Sequence, residues 1–400
     1  MQAKIERRNF TDKKSKISSF LLKSGWVLMF AGTPLGSGIA AFPFFLAGKI
    51  LGKKSRASIK KDPLFFLVNI FIIFCLLSVI STPNKLFFLG SFVSICLMLY
   101  LVMLESRYII LREAFFKKLL KIFIVCSTIS GICGMIFYFG GFGGRARSLF
   151  TGENGLGTVM IPAAFGALAC FSQASSKKKL LVGFALATIV AGLILSFSRG
   201  AWLGLAGGLF IYFVYCKRDR LKVVILMSII IITFFTYPPL LYRLESIQDL
   251  SYPSNQERIY IMEATWEMIK EQPLTGVGIG NYPSTYPDYR LKESQIPNVS
   301  FAHNIFLQIW AEAGIGALVS FLAIVVLIFT KGINIVKCSN LFLRKVGIVA
   351  FASFVGILIH NQVDCTVYSL HIGPFFLLLA GIIFYAEKLG CVYKSSKVLK

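Results

Sequence analysis

The residues whose types and settings could do chemistry are few. Arg199 stands in Ser196-Phe197-Ser198-Arg199-Gly200, Arg145 and Arg147 stand just before Thr151-Gly152-Glu153-Asn154, Arg258 follows Glu257, and His303 leads Asn304. A guanidinium is a permanent cation with a planar fork of donors that matches phosphate or carboxylate. An imidazole with an unperturbed pKa near 6.5 exchanges protons close to neutrality. Anion binding and proton transfer are therefore the chemistry on offer. Snorkelling or interfacial anchoring is the ordinary alternative for any one of these arginines, and an interfacial place at a span end for the histidine. The sequence has no P-loop, no Asp-x-Asp and no carboxylate cluster, so neither nucleotide-driven work nor a metal is expected, and no cofactor. Its 9 cysteines are scattered without CxxC spacing, which argues against a disulfide framework and a zinc site.

What must position these residues is a membrane bundle. Of 400 residues 56% are hydrophobic and 15% charged, yet the net charge is +24, and the mean hydropathy is +0.73. A soluble protein this apolar could not cover its surface, and a nucleic-acid binder would be richer in polar residues. Apolar runs of roughly bilayer length open near Pro63, Leu86, Leu119, Gly155, Leu180, Gly200, Val223, Asn304, Val346 and Leu370. The stretch 17–50, which carries Lys23 and is interrupted at Gly32-Thr33-Pro34-Leu35-Gly36, reads as two short spans or a hairpin. Counted as two, it gives an all-α integral membrane protein of about twelve transmembrane helices. With the N-terminus inside, 33 of 42 Lys and Arg fall in or beside cytoplasmic segments, and nine fall outside. The positive-inside rule then places both termini in the cytoplasm. No small-residue cleavage site follows the basic N-terminal region, so no cleaved signal peptide is expected.

The expected organisation is a cytoplasmic N-terminus (1–16), membrane helices (17–238), one large periplasmic loop (239–302), further membrane helices (303–387) and a cytoplasmic tail (388–400). The loop is expected to contain helix. Ser254-Asn255-Gln256-Glu257 fits a capping box, Ile259, Met262, Trp266 and Ile269 form one apolar stripe, and Gln272-Pro273 ends it. Such a helix suits the lipid surface or the mouth of a cavity, and equally a solvated helix packed on its own protein. The glycines of Thr275-Gly276-Val277-Gly278-Ile279-Gly280-Asn281 bring backbone close to something without forming a dinucleotide fingerprint. Gly200, Gly204 and Gly208 form a small-residue stripe suited to close helix packing. His303 begins the helix after the loop, on which Trp310 and Gly314 share its face and Glu312 lies opposite, and Gly314 admits a neighbouring backbone or lipid chain. His360 and His371 flank a short outer turn and look less placed.

Three motifs in order resemble the O-antigen ligase / O-antigen polymerase family of bacterial glycosyltransferases of the C type. They are Leu195-Ser196-Phe197-Ser198-Arg199-Gly200-Ala201-Trp202, Glu257-Arg258 leading to Pro273-Leu274-Thr275-Gly276-Val277-Gly278, and His303-Asn304 to Glu312-Ala313-Gly314. Arg147 to Asn154 is similar to the family's shorter loop motif, while Gly314-Ile315-Gly316-Ala317 departs from its frequent Gly-x-x-Gly. The resemblance implies transfer of a glycan from undecaprenyl diphosphate to a hydroxyl acceptor at the periplasmic face of the bacterial cytoplasmic (inner) membrane. A ligase uses lipid A–core, and a polymerase uses the growing chain. It also implies that Arg199 and Arg258, then Arg147 and Arg145, hold the donor diphosphate. His303 would take the acceptor proton, or only bind, with Asn304, Gly314 and Asn154 in support. The apolar walls would receive the polyprenyl tail, and helix 255–271 would gate its entry. A transporter of lipid-linked glycan or small solute is the alternative from another class, and would need polar groups near the midplane, where Glu312 is the main candidate. A scaffold for polysaccharide assembly is the third, in which these arginines and His303 could be replaced silently.

Overall fold

The computed structural model describes residues 2–51, 62–149 and 151–398. The side chains of 1–14, 51–61 and 391–400, and with them many of the cations in the charge count, lie outside the described residues. Every regular element among the described residues is helical. The first half comprises α1 (Gln2–Leu35), α2 (Phe42–Leu51), α3 (Pro63–Leu77), α4 (Lys85–Met98), α5 (Ser106–Ile110), α6 (Glu113–Phe139), α7 (Glu153–Phe171) and α8 (Ser176–Leu195). The second comprises α9 (Arg199–Tyr215), α10 (Arg220–Thr236), α11 (Pro238–Glu245), α12 (Pro253–Glu271), α13 (Tyr282–Tyr289), α14 (Ile305–Asn334), α15 (Leu341–His360) and α16 (Gly373–Val398). A single π turn, Leu99–Met103, joins α4 towards α5.

Eight of these helical stretches are long and apolar enough to cross a membrane, or nine if the bent pair α10–α11 counts as one. That is fewer than the expected twelve. α9 has 17 residues and α2 has 10, short of the roughly 20 that a 30 Å hydrocarbon layer demands. The stretch 17–50 is a hairpin: Ser18 Oγ donates to the Gly48 carbonyl at 2.7 Å and Trp26 meets Phe45 edge-on at 4.7 Å. The span helices leave large apolar side chains such as Leu86 and Leu180 exposed, as lipid-facing helices do. Their inner faces interlock through aromatic pairs, among them Phe123 stacked on Phe375 and Phe354 on Phe376. The glycine stripe of α9 packs on α15: a Cβ at Gly204 would collide with the Gly356 carbonyl and one at Gly208 with that of Ala352.

The chain turns back and forth between two ends of this bundle. One end collects the α6–α7 and α8–α9 turns, the start of α14 and the end of α15. These are joined across the chain by Arg145 to Ser196 and by the Ile305 amide to the Asn361 carbonyl at 2.9 Å. The other collects Lys49 with Glu105, Asp62 with Lys388, and Lys331 with Glu387.

Segment 246–302 is tied to the first end by a graft of backbone onto α14. Gly314 interrupts that helix with φ 76° and ψ 176°, a conformation open in practice to glycine. The freed polar groups are taken by the neighbouring segment. Val277 N donates to the Ala311 carbonyl at 2.8 Å, Gly278 N to the Glu312 carbonyl at 3.0 Å, and Ile315 N to the Pro273 carbonyl at 3.0 Å. Within the span, the buried Glu312 carboxylate accepts from the amides of Gly280 and Tyr282. Gly276, Gly278 and Gly280 all have positive φ and leave no room for a Cβ against Glu312, Thr82 and Ser91. The alternating glycines thus let one backbone lie on another. Gly314→Ala is expected to lower stability by about 2 kcal/mol or more, read as a fall in Tm in detergent. Gly90→Ala, with open space around it, serves as the control. Equal melting of the two variants would contradict this account of the break.

Candidate functional site

The α8–α9 turn is built around Phe197, held at φ 50°. His303, at φ 54°, is the other non-glycine residue with positive φ among the described residues, and both lie at the same end of the bundle. Strain of this kind costs of order 1–3 kcal/mol and persists only where surrounding contacts over-determine it. At Phe197 those contacts are plain. Ser196 O accepts from Arg145 Nε at 2.7 Å, and Arg243 Nε reaches Phe197 O at 3.4 Å. Beside the turn, Ser198 Oγ lies 3.2 Å from His360 Nε2.

His303 is not the first residue of α14. Asn304 caps that helix, its Oδ1 accepting from the amides of Phe306 and Leu307 at 2.9 and 3.1 Å. The amide nitrogen of the same side chain donates to Gln362 O at 3.1 Å, tying the cap to the loop after α15. The expected helical phase linking His303 to Trp310 and Gly314 therefore does not apply: the ring projects from the loop before the cap. Gly314 instead serves the backbone graft, and Trp310 Nε1 donates to Pro273 O at 3.1 Å.

From Arg145 a chain of polar contacts leads to this histidine. Arg145 Nη2 donates to Asn154 Oδ1 at 3.0 Å, and Asn154 Nδ2 donates to Asp364 Oδ2. Asp364 Oδ1 lies 3.8 Å from His303 Nδ1, an ion-pair distance and too long for a hydrogen bond. His303 Nδ1 is buried without a hydrogen-bond partner, while 28% of the side chain is exposed. Burial chiefly, with Arg258 adding to it and Asp364 opposing, pushes the imidazole pKa below its ordinary value. That shift favours the neutral form of the ring, the form that can accept a proton.

The arginines divide by what they touch. Arg199, buried at 6% exposure, donates to Ser246 O at 2.7 Å, Ser246 Oγ and Ser254 Oγ at 3.0 Å each, and Asn255 Oδ1. It also faces the Tyr252 ring at 5.5 Å, and Arg243 faces the same ring at 5.2 Å while donating to Tyr252 OH at 2.9 Å. The two guanidiniums hold segment 246–255 in place. Arg147 is exposed, its guanidinium 4.9 Å from the Phe137 ring. Arg258 differs from them all: it is half-buried, and among the described residues its guanidinium has no hydrogen-bond or ion-pair partner. Its proton affinity is lowered first by burial and further by Arg243, and supported by Asp364. It remains a cation, one whose donors are unused.

The helix that carries Arg258 corrects two expectations. α12 starts at Pro253 with Tyr252 as N-cap, so no Ser254–Glu257 capping box forms. Ser254 receives Arg199, and the Glu257 carboxylate accepts from Ser294 Oγ at 2.8 Å and Gln295 N at 2.7 Å. The buried stripe runs through Ile261, Ala264, Thr265, Met268 and Ile269, while Ile259, Met262 and Trp266 are exposed. Polar demands of the first turn and of Tyr282, which meets Thr265 at 2.7 Å, rotate the helix away from its most apolar arc.

Three side chains escape sequence reasoning. Asp364 and Arg243 stand in no motif. His360, which looks less placed in the sequence, is 1% exposed and lies 2.9 Å from Thr158 Oγ1. Only the scarcity of histidine and of acidic residues near span ends could draw attention to His360 and Asp364. Among the described residues no three His, Cys, Asp or Glu converge as a metal-ligand set.

Residues 184–322 match the model of the family described as O-antigen ligase. The matched segment runs from α8 into α14 and contains Arg199, Arg243, Arg258 and His303. Arg145, Asn154, His360 and Asp364 lie outside it. A comparison with curated proteins found no match.

Arg199→Gln is expected to raise amide hydrogen exchange across 246–256, because all four of its acceptors lie there. Arg258→Gln should leave that protection unchanged. Equal protection in both variants would remove the anchoring role given to Arg199.

Proposed function

We propose that this chain, which carries an O-antigen ligase family segment, transfers a glycan from undecaprenyl diphosphate to a hydroxyl of lipid A–core. Arg258 is the observation that carries the proposal. A cation half-removed from water, unpaired among the described residues and set beside Arg145, Arg199 and Arg243 is unfavourable unless an anion of more than one charge completes it. A diphosphate leaving group is such an anion, and a guanidinium meets it with two donors at once. Arg145 and Arg199, whose own donors rest on neutral acceptors, add positive potential to the wall, and Arg147 meets the donor at the exposed rim.

His303 acts on the acceptor. As the acceptor oxygen attacks the anomeric carbon, its proton passes to His303 Nε2. The bond from that carbon to the diphosphate oxygen breaks, and the electron pair leaves with the diphosphate under the charge of Arg258. Asp364, on the Nδ1 side, stabilises the imidazolium formed. Asn154 holds Asp364, and Asn304 holds the loop that carries the ring. No metal enters this scheme. The exposed stripe Ile259, Met262 and Trp266 on α12, continued by Leu274 at 72% exposure, offers an apolar path for the polyprenyl tail.

The positive-inside count of the sequence supports assigning this site to the periplasmic side of the bacterial inner membrane, with both termini cytoplasmic and 239–302 as the periplasmic loop. The decisive experiment is the glycan profile of a deletion strain complemented with variants. Deletion should abolish surface attachment while carrier-linked polymer accumulates. Arg258→Gln and His303→Ala should each restore less than about one hundredth of the wild-type rate. A single repeat attached to the core would mark a polymerase instead, and full activity of both variants would sink the site.

The pH dependence carries its own sign. Because burial holds the His303 pKa below 6.5, the acid limb of the rate should fall below that pH. Asp364→Asn removes the charge that supports the proton and should move the limb lower. Arg258→Gln removes an opposing charge and should move the limb of its residual activity higher. Shifts in the same direction would contradict the arrangement.

A further inference from the structure

A second polar site lies at the far end of the bundle. α6 has 27 residues, so about 40 Å of helix separates its start from the end that holds Arg145. Beside that start, α1, α6 and Phe44 of α2 line an open cavity of about 1050 Å³. Three exposed cations line it: Lys23 from α1, Arg112 at the N-cap of α6 and Lys118 in the second turn of that helix. Among the described residues none of the three has a hydrogen-bond or ion-pair partner. The one acid in the lining, Glu113, is bound by Lys117 at 2.5 Å. Apart from Ser19 and Ser24 the remaining wall is apolar, with Phe20, Phe44 and Phe115 among it, and Phe20 is 67% exposed at the outer surface of the bundle.

The charge is unusual for its place. Lys23 lies in the apolar stretch of α1, where an ammonium must snorkel to water or meet an anion. Three like charges around one cavity repel each other unless an anion sits between them. The volume far exceeds what a free phosphate requires, and the aromatic walls offer it nothing. A group with an anionic head and an apolar chain satisfies both halves of the lining. Basic pockets between membrane helices bind anionic headgroups in this manner.

We propose that the α1–α2–α6 cavity binds an anionic phospholipid, its phosphate between Lys23, Arg112 and Lys118 and its acyl chain along Phe20 and Phe44. The site is independent of the glycan-transfer proposal, and its test does not read activity. The full chain is purified from nanodiscs of phosphatidylcholine mixed with phosphatidylglycerol, and retained lipid is counted by native mass spectrometry. Wild type should retain phosphatidylglycerol. Lys23→Gln/Arg112→Gln/Lys118→Gln should weaken retention about tenfold or more, and Lys23→Gln alone should weaken it measurably, which covers failure of the triple variant to fold. Lys177→Gln/Lys178→Gln/Lys217→Gln, an equal loss of charge elsewhere, should retain the lipid. Equal retention by wild type and the Lys23 variants would overturn the site, as would equal loss in the control. Displacement of the lipid by inorganic phosphate at matched concentration would overturn its assignment to a phospholipid.

Discussion

A helix inside an apolar bundle cannot be broken without other polar groups taking the freed carbonyls and amides. α14 is broken at Gly314, and the backbone of 273–280 makes good the break. Much of the candidate site depends on that exchange. The grafted segment follows α12 directly, so fixing 273–280 fixes the end of the helix that carries Arg258. The same exchange leaves the first turns of α14 intact, and Asn304 caps them with His303 immediately before. Two chemically different groups, a guanidinium and an imidazole, are thereby set at one end of the bundle by contacts that involve neither.

The arginines at this end perform two kinds of work. Arg199 and Arg243 close on Tyr252 and on acceptors of 246–255, and so complete the wall from its other side. Arg258 is left with donors to spare. Neutral acceptors are suited to the first group because a carboxylate there would cancel the field that Arg258 shares. Of the acids near these arginines, Asp364 is held by Asn154 and directed towards His303, and Glu153 lies near Arg145. Charge at this end is thus partitioned between a group of arginines on neutral acceptors and a carboxylate that faces His303.

Much of this arrangement is legible in the sequence, and scarcity makes it so. Where the charge count of the sequence assigns most cations to one side, arginines assigned to the other stand out. The glycines at 276, 278 and 280 predict a close backbone approach, and the stripe 200, 204, 208 a close helix pair. Both follow from the absence of a Cβ, a local property. The capping box and the apolar stripe of α12 mislead, because the first turn is claimed by Arg199 and the buried face is decided by Tyr282 and its neighbours. The placing of His303 on a helical face misleads in the same way, since Asn304 can cap only if the helix begins after it.

The sequence alone determined that the chain is helical and membrane-bound, and which residue types could bind an anion or exchange a proton. Periodicity, hydropathy and charge asymmetry are sums over neighbours in the chain, so no folding is needed to read them. Which half-buried arginine among the described residues keeps free donors was decided only by the tertiary structure, as was the acid that faces the histidine. Asp364 and His303 are far apart in sequence and meet only because the α15–α16 turn packs against the start of α14. Partnership of that kind depends on distances of a few ångströms between segments, and no local pattern encodes it.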